Sequence, residues 1–173
     1  MKSKLKNVTD FKLKIMKRSL DTAVNISARI NVPPLQGRSL VLCSYGLDGL
    51  VKMGAGRGIG NTGATLRDTA LLYSVMVSAR AEESNLVLFS KSCVKVSLEK
   101  TDLLKNIELV SKLEEVQTLS NFNASLDPVK RILHEYIRDD IYVDNIILFH
   151  NNIQVQTHRK LKNYVYGYLK IKI

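Results

Sequence analysis

The chain predicts an α/β fold: three layers, with a mostly parallel sheet, one antiparallel edge strand and helices on both faces. Three observations predict it. The runs "SLVLC" (39–43), "NLVLFS" (85–90) and "VDNIILFH" (143–150) are short and apolar on both faces, as strands of a covered parallel sheet are. The longer stretches between them repeat their apolar residues at helical spacing. Strands and helices alternate along most of the chain. At 173 residues the chain fits one domain, read as a basic N-terminal helix over 1–30 and an α/β domain over 31–173.

The elements follow in order. Thr9 or Asp10 is placed to cap a helix running to about Ala28, with Phe11, Ile15, Leu20 and Val24 roughly along one face. Pro33-Pro34 forbids helix, and Gly37 suits a turn before the first strand. After a glycine-containing loop, a helix is expected from Ala64 to about Glu82, on the spacing of Leu66, Ala70, Tyr73 and Val77. "NLVLFS" and "CVKVSL" (93–98) read as a hairpin. "TDLLKNIELVSKLEEV" (101–116) reads as one amphipathic helix with Thr101 as cap. "TLSNFNAS" (118–125) is a polar loop, after which Asp127 caps a helix with Pro128 in its first turn. "VDNIILFH" is a buried strand, "NNIQVQTH" (151–158) a loop, and "YVYGYLKIKI" (164–173) a final strand. No closing helix follows that strand, which suggests a piece of a longer protein lacking its last elements.

Charge is high and uneven. The net charge is +10, and the first nineteen residues hold seven Lys/Arg against one acid. No acid follows Asp144, whereas Arg159, Lys160, Lys162, Lys170 and Lys172 do. Clustered positive charge attracts polyanions by releasing their counterions. It is equally the mark of a merely basic, solvated surface. Tyr164, Tyr166 and Tyr168 fall on one strand face, where core packing competes with stacking on bases. Cys43 and Cys93 sit in apolar runs and read as buried free thiols. No apolar run approaches the roughly 20 residues of a membrane helix, and the N-terminus lacks an apolar signal core. The composition therefore points to a soluble, intracellular protein without membrane contact.

"RSLVLCSYGLDGLVKMGAGRGIGNTG" (38–63) is the stretch where chemistry is expected, because parallel strands deliver ligand sites at their carboxyl ends. "GIGNTG" (Gly58, Gly60, Gly63) satisfies the dinucleotide-binding spacing and precedes a helix. Yet Ser44 to Arg57 intervene between strand and glycines, and the next strand ends in Ser90, Lys91 and Ser92 rather than an acid for a ribose. A flexible connection explains the loop as well.

The segment "NVPPLQGRSL" (31–40) matches a pattern N-x-P-P-L-x-G-R-[ST]-L. With the preceding "SLDTAVNISARIN" (19–31), it resembles the von Willebrand factor A-like domain that closes proteins carrying a TROVE module, the Ro autoantigen and telomerase-associated proteins. The resemblance runs from about Ser19 to Lys172. It implies a Rossmann-type sheet and, in functional members, a magnesium site. That site draws on a D-x-S-x-S loop after the first strand, a threonine from a second loop and an aspartate after the fourth strand. Carried over one at a time, the motif aspartate falls on Ser44, the first serine on Gly46 and the second on Asp48. The second-loop threonine lies near Phe122, beside Asn123, and the last aspartate falls on Asn151, with His150 where a threonine stands. One carboxylate among neutral groups is a poor match for a strongly hydrated dication. The resemblance thus implies a degenerate metal site with no magnesium and no other cofactor. A shifted site on Asp48, Asn123 and Asn151 is the competing reading.

Other chemistry is sparse. His134, His150 and His158 lack partners at zinc spacing. Ser44 is in no nucleophile elbow. Glu82-Glu83, Glu114-Glu115 and Asp139-Asp140 are adjacent pairs that diverge on a helix and read as solvated charge. The expectation is a non-enzymatic interaction domain of a ribonucleoprotein, in the telomerase-associated branch and in the nucleus. Its partners are telomerase RNA or a small structured RNA, and other ribonucleoprotein subunits. Lys12, Lys14, Lys17, Arg18, Arg159, Lys160 and Lys162 are the expected phosphate contacts. The alternatives are a nucleotide-binding enzyme using Gly58–Gly63 and a metal-dependent adhesion-type module using Asp48.

Overall fold

Pro33 and Pro34 end the first helix and send the chain into a sheet. The computed structural model describes residues 2–50, 64–150, 162 and 165. Helix α1 spans Lys2–Asn31 and strand β1 Leu35–Ser44, followed by a short 3-10 turn over Leu47–Leu50. Helix α2 (Leu66–Arg80) passes directly into β2 (Ala81–Phe89), and β3 (Cys93–Val96) turns back beside it. Helices α3 (Leu103–Lys112), α4 (Glu114–Leu119) and α5 (Asp127–Arg138) lead to β4 (Asn145–Phe149).

The four strands lie in the order β3-β2-β1-β4. β1 pairs parallel with β2 on one side and β4 on the other, and β3 pairs antiparallel at the edge. Successive strand residues point to opposite faces, and both faces of β1 are covered. Leu40 and Leu42 join Val87 and Phe89 against Val129, Ile132 and Leu133 of α5. Val41 and Cys43 join Leu86 and Leu88 against α2, α3 and α4. This is the three-layer, mostly parallel arrangement with one antiparallel edge that the apolar runs predict. Burial of each large side chain contributes about 1.5–3 kcal/mol.

Several boundaries differ from the sequence expectation. Thr9 and Asp10 lie inside α1 rather than capping it. Good helix formers upstream extend the helix past a residue that could have begun it. α2 begins after Thr65, which forms a capping box with Asp68: the Asp68 N–H donates to the Thr65 hydroxyl, and the Thr65 N–H donates to the Asp68 carboxylate. The helix ends at Arg80 because Ala81 is taken up by pairing with Leu35. The expected continuous helix over 101–116 breaks at Leu113, whose backbone is extended, and Asp102 rather than Thr101 stands at its start. Pro128 sits in the first turn of α5 as expected, but Leu126 holds the cap position. Asp127 is instead the first helical residue; its N–H donates to the Ser125 hydroxyl at 3.2 Å. Of the expected final strand over 164–173 only Val165 is described; it is helical rather than extended and packs against the α5-side cluster, and the rest lies outside the described residues. The glycine loop and the expected loop over 151–158 lie outside the described residues. Among the described residues, no helix is long and apolar enough to cross a membrane.

Gly37 carries the one positive φ among the described glycines, +71°. It stands where the β1–β2 register shifts between Leu35 and Arg38. Its close neighbour is Asp144, whose carboxylate accepts the Arg38 N–H at 2.7 Å and whose own N–H donates to the Arg38 carbonyl at 2.8 Å. A Cβ at Gly37 would fall on the Asp144 carboxylate.

Candidate functional site

In an open parallel sheet, ligands bind where strands on either side of one strand are reached over opposite faces. Here that strand is β1: α2 covers one face on the way to β2, and α5 covers the other on the way to β4. The residues at its carboxyl end are Ser44, Gly46 and Asp48, with Ser90 after β2, the segment Phe122–Ser125, and His150 after β4.

Direct hydrogen bonds close this end. The Tyr45 N–H donates to the Phe89 carbonyl at 2.8 Å, and the Leu47 N–H to the Phe122 carbonyl at 2.9 Å. Asp48 Oδ1 accepts the Ala124 N–H at 2.9 Å. The Ser125 N–H donates to the Ser90 carbonyl at 3.0 Å. Gly46 lies in the crook of these bonds. A Cβ there would come within 2.5 Å of Asp48 Oδ1, 2.6 Å of the Ala124 nitrogen and 2.8 Å of the Phe122 oxygen. No side-chain oxygen fits at Gly46 unless the loops part.

Ser44 is fully buried on the α5 side of the sheet, and its hydroxyl has no hydrogen-bond partner among the described residues. His150 is half-buried, with its ring 6.0 Å from that of Phe89. Burial pushes the His150 pKa below the ordinary histidine value, while the Asp48 charge pulls it back up. Neutral imidazole is therefore favoured near pH 7.

This donor set does not fit a magnesium ion. Asp48 is the one carboxylate at the position, one of its oxygens is engaged by an amide, and Ser44 and Gly46 supply no charge. Among the described residues no three His, Cys, Asp or Glu side chains are grouped for a metal. Asn151 lies outside the described residues. Phe122 is 42% exposed and offers a ring to the Lys91 ammonium, 5.1 Å from its centroid, rather than an oxygen.

Cys43 is fully buried, and burial pushes its thiol up to about 12, a hydrogen bond with Ser74 offsetting part of the rise. It carries no thiolate nucleophile at neutral pH.

Sequence reasoning missed Arg67. Its guanidinium carbon lies 4.7 Å from the Tyr45 ring centroid, and its Nε and Nη1 atoms are buried without partners among the described residues. The signal was its position: an arginine in the first turn of a helix opposes the helix dipole.

The expected phosphate contacts divide. Lys12, Lys14, Lys17 and Arg18 all lie on the exposed stretch of α1, and Lys162 is exposed. At 3.6 residues per turn Lys14, Lys17 and Arg18 share one side of the helix, with Lys12 on another. Lys17 already pairs with Glu108 at 2.8 Å across to α3. Arg159 and Lys160 lie outside the described residues.

The fold and this end of the sheet define a class: a three-layer α/β protein whose first strand ends in a closed, acid-poor loop cluster. No protein-family model matches the chain, and no curated protein matches it. Among solved structures the chain is similar to the crystal structure of Deinococcus radiodurans RO (RSR) protein, with a TM-score of 0.49 and 16% sequence identity, over 79% of this chain and 26% of that one. The chain thus spans about a quarter of the length of that protein.

Proposed function

We propose that the chain is a non-catalytic interaction domain of a ribonucleoprotein, making protein–protein contacts and contacts to RNA phosphates. The observation that carries the RNA reading is α1, which presents Lys12, Lys14, Lys17 and Arg18 on a stretch exposed at every residue from Asp10 to Leu20. An exposed cluster of cations suits a polyanion backbone better than a small-molecule pocket does. The resemblance carried by "NVPPLQGRSL" supports the ribonucleoprotein context, and the telomerase-associated branch and the nucleus are the finer form of the proposal. The closed carboxyl end supports reading Ser44, Gly46 and Asp48 as a former metal site whose loops are now joined by hydrogen bonds, working without magnesium or another cofactor. The buried thiol of Cys43 supports a role without catalysis.

The test is titration with a structured RNA at 50 and 200 mM salt. Phosphate contact by about four cations predicts affinity falling on the order of a hundredfold over that range. The quadruple change of Lys12, Lys14, Lys17 and Arg18 to Gln should flatten the salt dependence. Affinity that is independent of salt in the unaltered chain sinks the RNA reading.

A further inference from the structure

The basic residues of α1 do not account for its apolar ones. Phe11 is 66% exposed, Ile15 48%, Met16 67% and Leu20 56%. The helix turns a different side to the body. Among the described positions of α1, Asp21, Val24, Asn25, Ser27 and Ala28 are the less exposed ones, and of these only Ala28 is fully buried. The packed side is thus held partly by polar groups, with the Asp21 carboxylate accepting the Leu104 N–H of α3 at 3.3 Å. An amphipathic surface helix does the reverse, turning its apolar stripe to the core. The outward apolar residues therefore lack the surface that would normally bury them.

The shape of that missing surface can be read from the spacing. At 100° per residue, Phe11, Ile15, Met16, Leu20 and Leu13 spread over about 200° of arc. A flat surface such as a bilayer covers about half of that, the width of an ordinary one-sided stripe. A concave groove that closes around the helix covers all of it. Every residue from Asp10 to Leu20 is exposed, and the Lys17–Glu108 pair that ties this stretch to α3 lies outside the apolar arc, which leaves that arc open to be wrapped. Charge sets the other half of the complement. Within "DFKLKIMKRSL" four cations face one acid, so the rim of the groove must be acidic. A second copy of α1 would bring cations against cations.

We infer that the 10–20 stretch of α1 is a helix-in-groove docking element for an acidic protein with a deep, methionine-lined apolar groove. Phe11, Ile15 and Leu20 are its anchors. Grooves of that chemistry are opened by calcium in EF-hand sensor proteins and close around basic apolar helices. The inference shares the four cations with the RNA reading but takes its anchors from the apolar side chains, which RNA binding does not use, so Ile15→Glu tests it separately.

Calcium-loaded calmodulin is the probe. Titrated by calorimetry, it is expected to bind the whole chain one-to-one in calcium and not in excess chelator. Ile15→Glu should weaken binding roughly thirtyfold or more, as the loss of one buried aliphatic anchor requires. Tyr142→Glu, at an exposed aromatic distant in sequence, should leave it within about twofold. Both positions are exposed, so both variants should keep the circular dichroism of the parent. No binding in calcium, equal binding in chelator, or equal weakening by the two variants overturns the inference. So does sedimentation with phosphatidylserine vesicles, or self-association abolished by Ile15→Glu, where calmodulin fails to bind.

Discussion

A single carboxylate oxygen of Asp48 joins two parts of the chain 76 residues apart, by accepting the Ala124 N–H. The bond is partly shielded, and its loss would leave an amide without its acceptor. Asp48→Ala should therefore lower stability by about 1–2 kcal/mol in urea unfolding. Added magnesium should shift the melting of parent and variant equally. A magnesium-dependent rise in the parent alone would restore the metal reading. The sequence singled out Asp48 as the lone acid of its loop, which was the useful half of the answer. Its partner could not be read there, because a backbone N–H leaves no mark on residue type. The crowding at Gly46 was hidden for the same reason: the atoms that fill its side-chain space belong to Asp48 and to the segment Phe122–Ala124. Arg67 was legible in principle, as a cation at the wrong end of a helix.

At the scale of elements, the parallel strands were the most legible part of the fold. β1, β2 and β4 are continuous apolar runs because both faces of the sheet are covered. Ends were harder. Pairing decided them where propensity did not: Ala81 and Glu82 look helical in sequence, but parallel pairing with β1 claims this segment for β2. The break at Leu113 lets Val110, Val116 and Leu119 all reach the same core cluster, a tertiary demand that periodicity cannot show. The start of β1 has a sharper signature. Gly37 combines a left-handed backbone with a carboxylate packed where its Cβ would stand. Gly37→Ala meets both penalties, and should cost about 2 kcal/mol or more. Chemical denaturation measures it, and a change below about 0.5 kcal/mol would show that β1 can shift its register there without strain.

At the scale of the molecule, stability against pH has a buried component. The Cys43 thiol rises from an ordinary 9.0 to about 12 in the folded chain. Between those values the unfolded state has lost a proton that the folded state keeps. The contribution is fully present below pH 9 and is lost as pH rises toward 12, at about 1.4 kcal/mol per pH unit. Cys43→Ala should be less stable near neutrality but should fall less steeply above pH 9. Parallel slopes in the two proteins would contradict the burial of that thiol. The global charge of +10 acts differently. It was evident from the sequence, but its placement was not. The packing of α1 through Ala28 and its neighbours leaves the first-half cations and apolar groups of that helix pointing outward together. Pattern alone placed those apolar groups along one face without saying which way it turns.

The narrow space at Gly46 also limits what a single replacement can do. Any side chain added there would first have to dislodge the Asp48 carboxylate and the backbone at Phe122 and Ala124 behind it. A new oxygen donor at this position therefore demands several coordinated replacements rather than one.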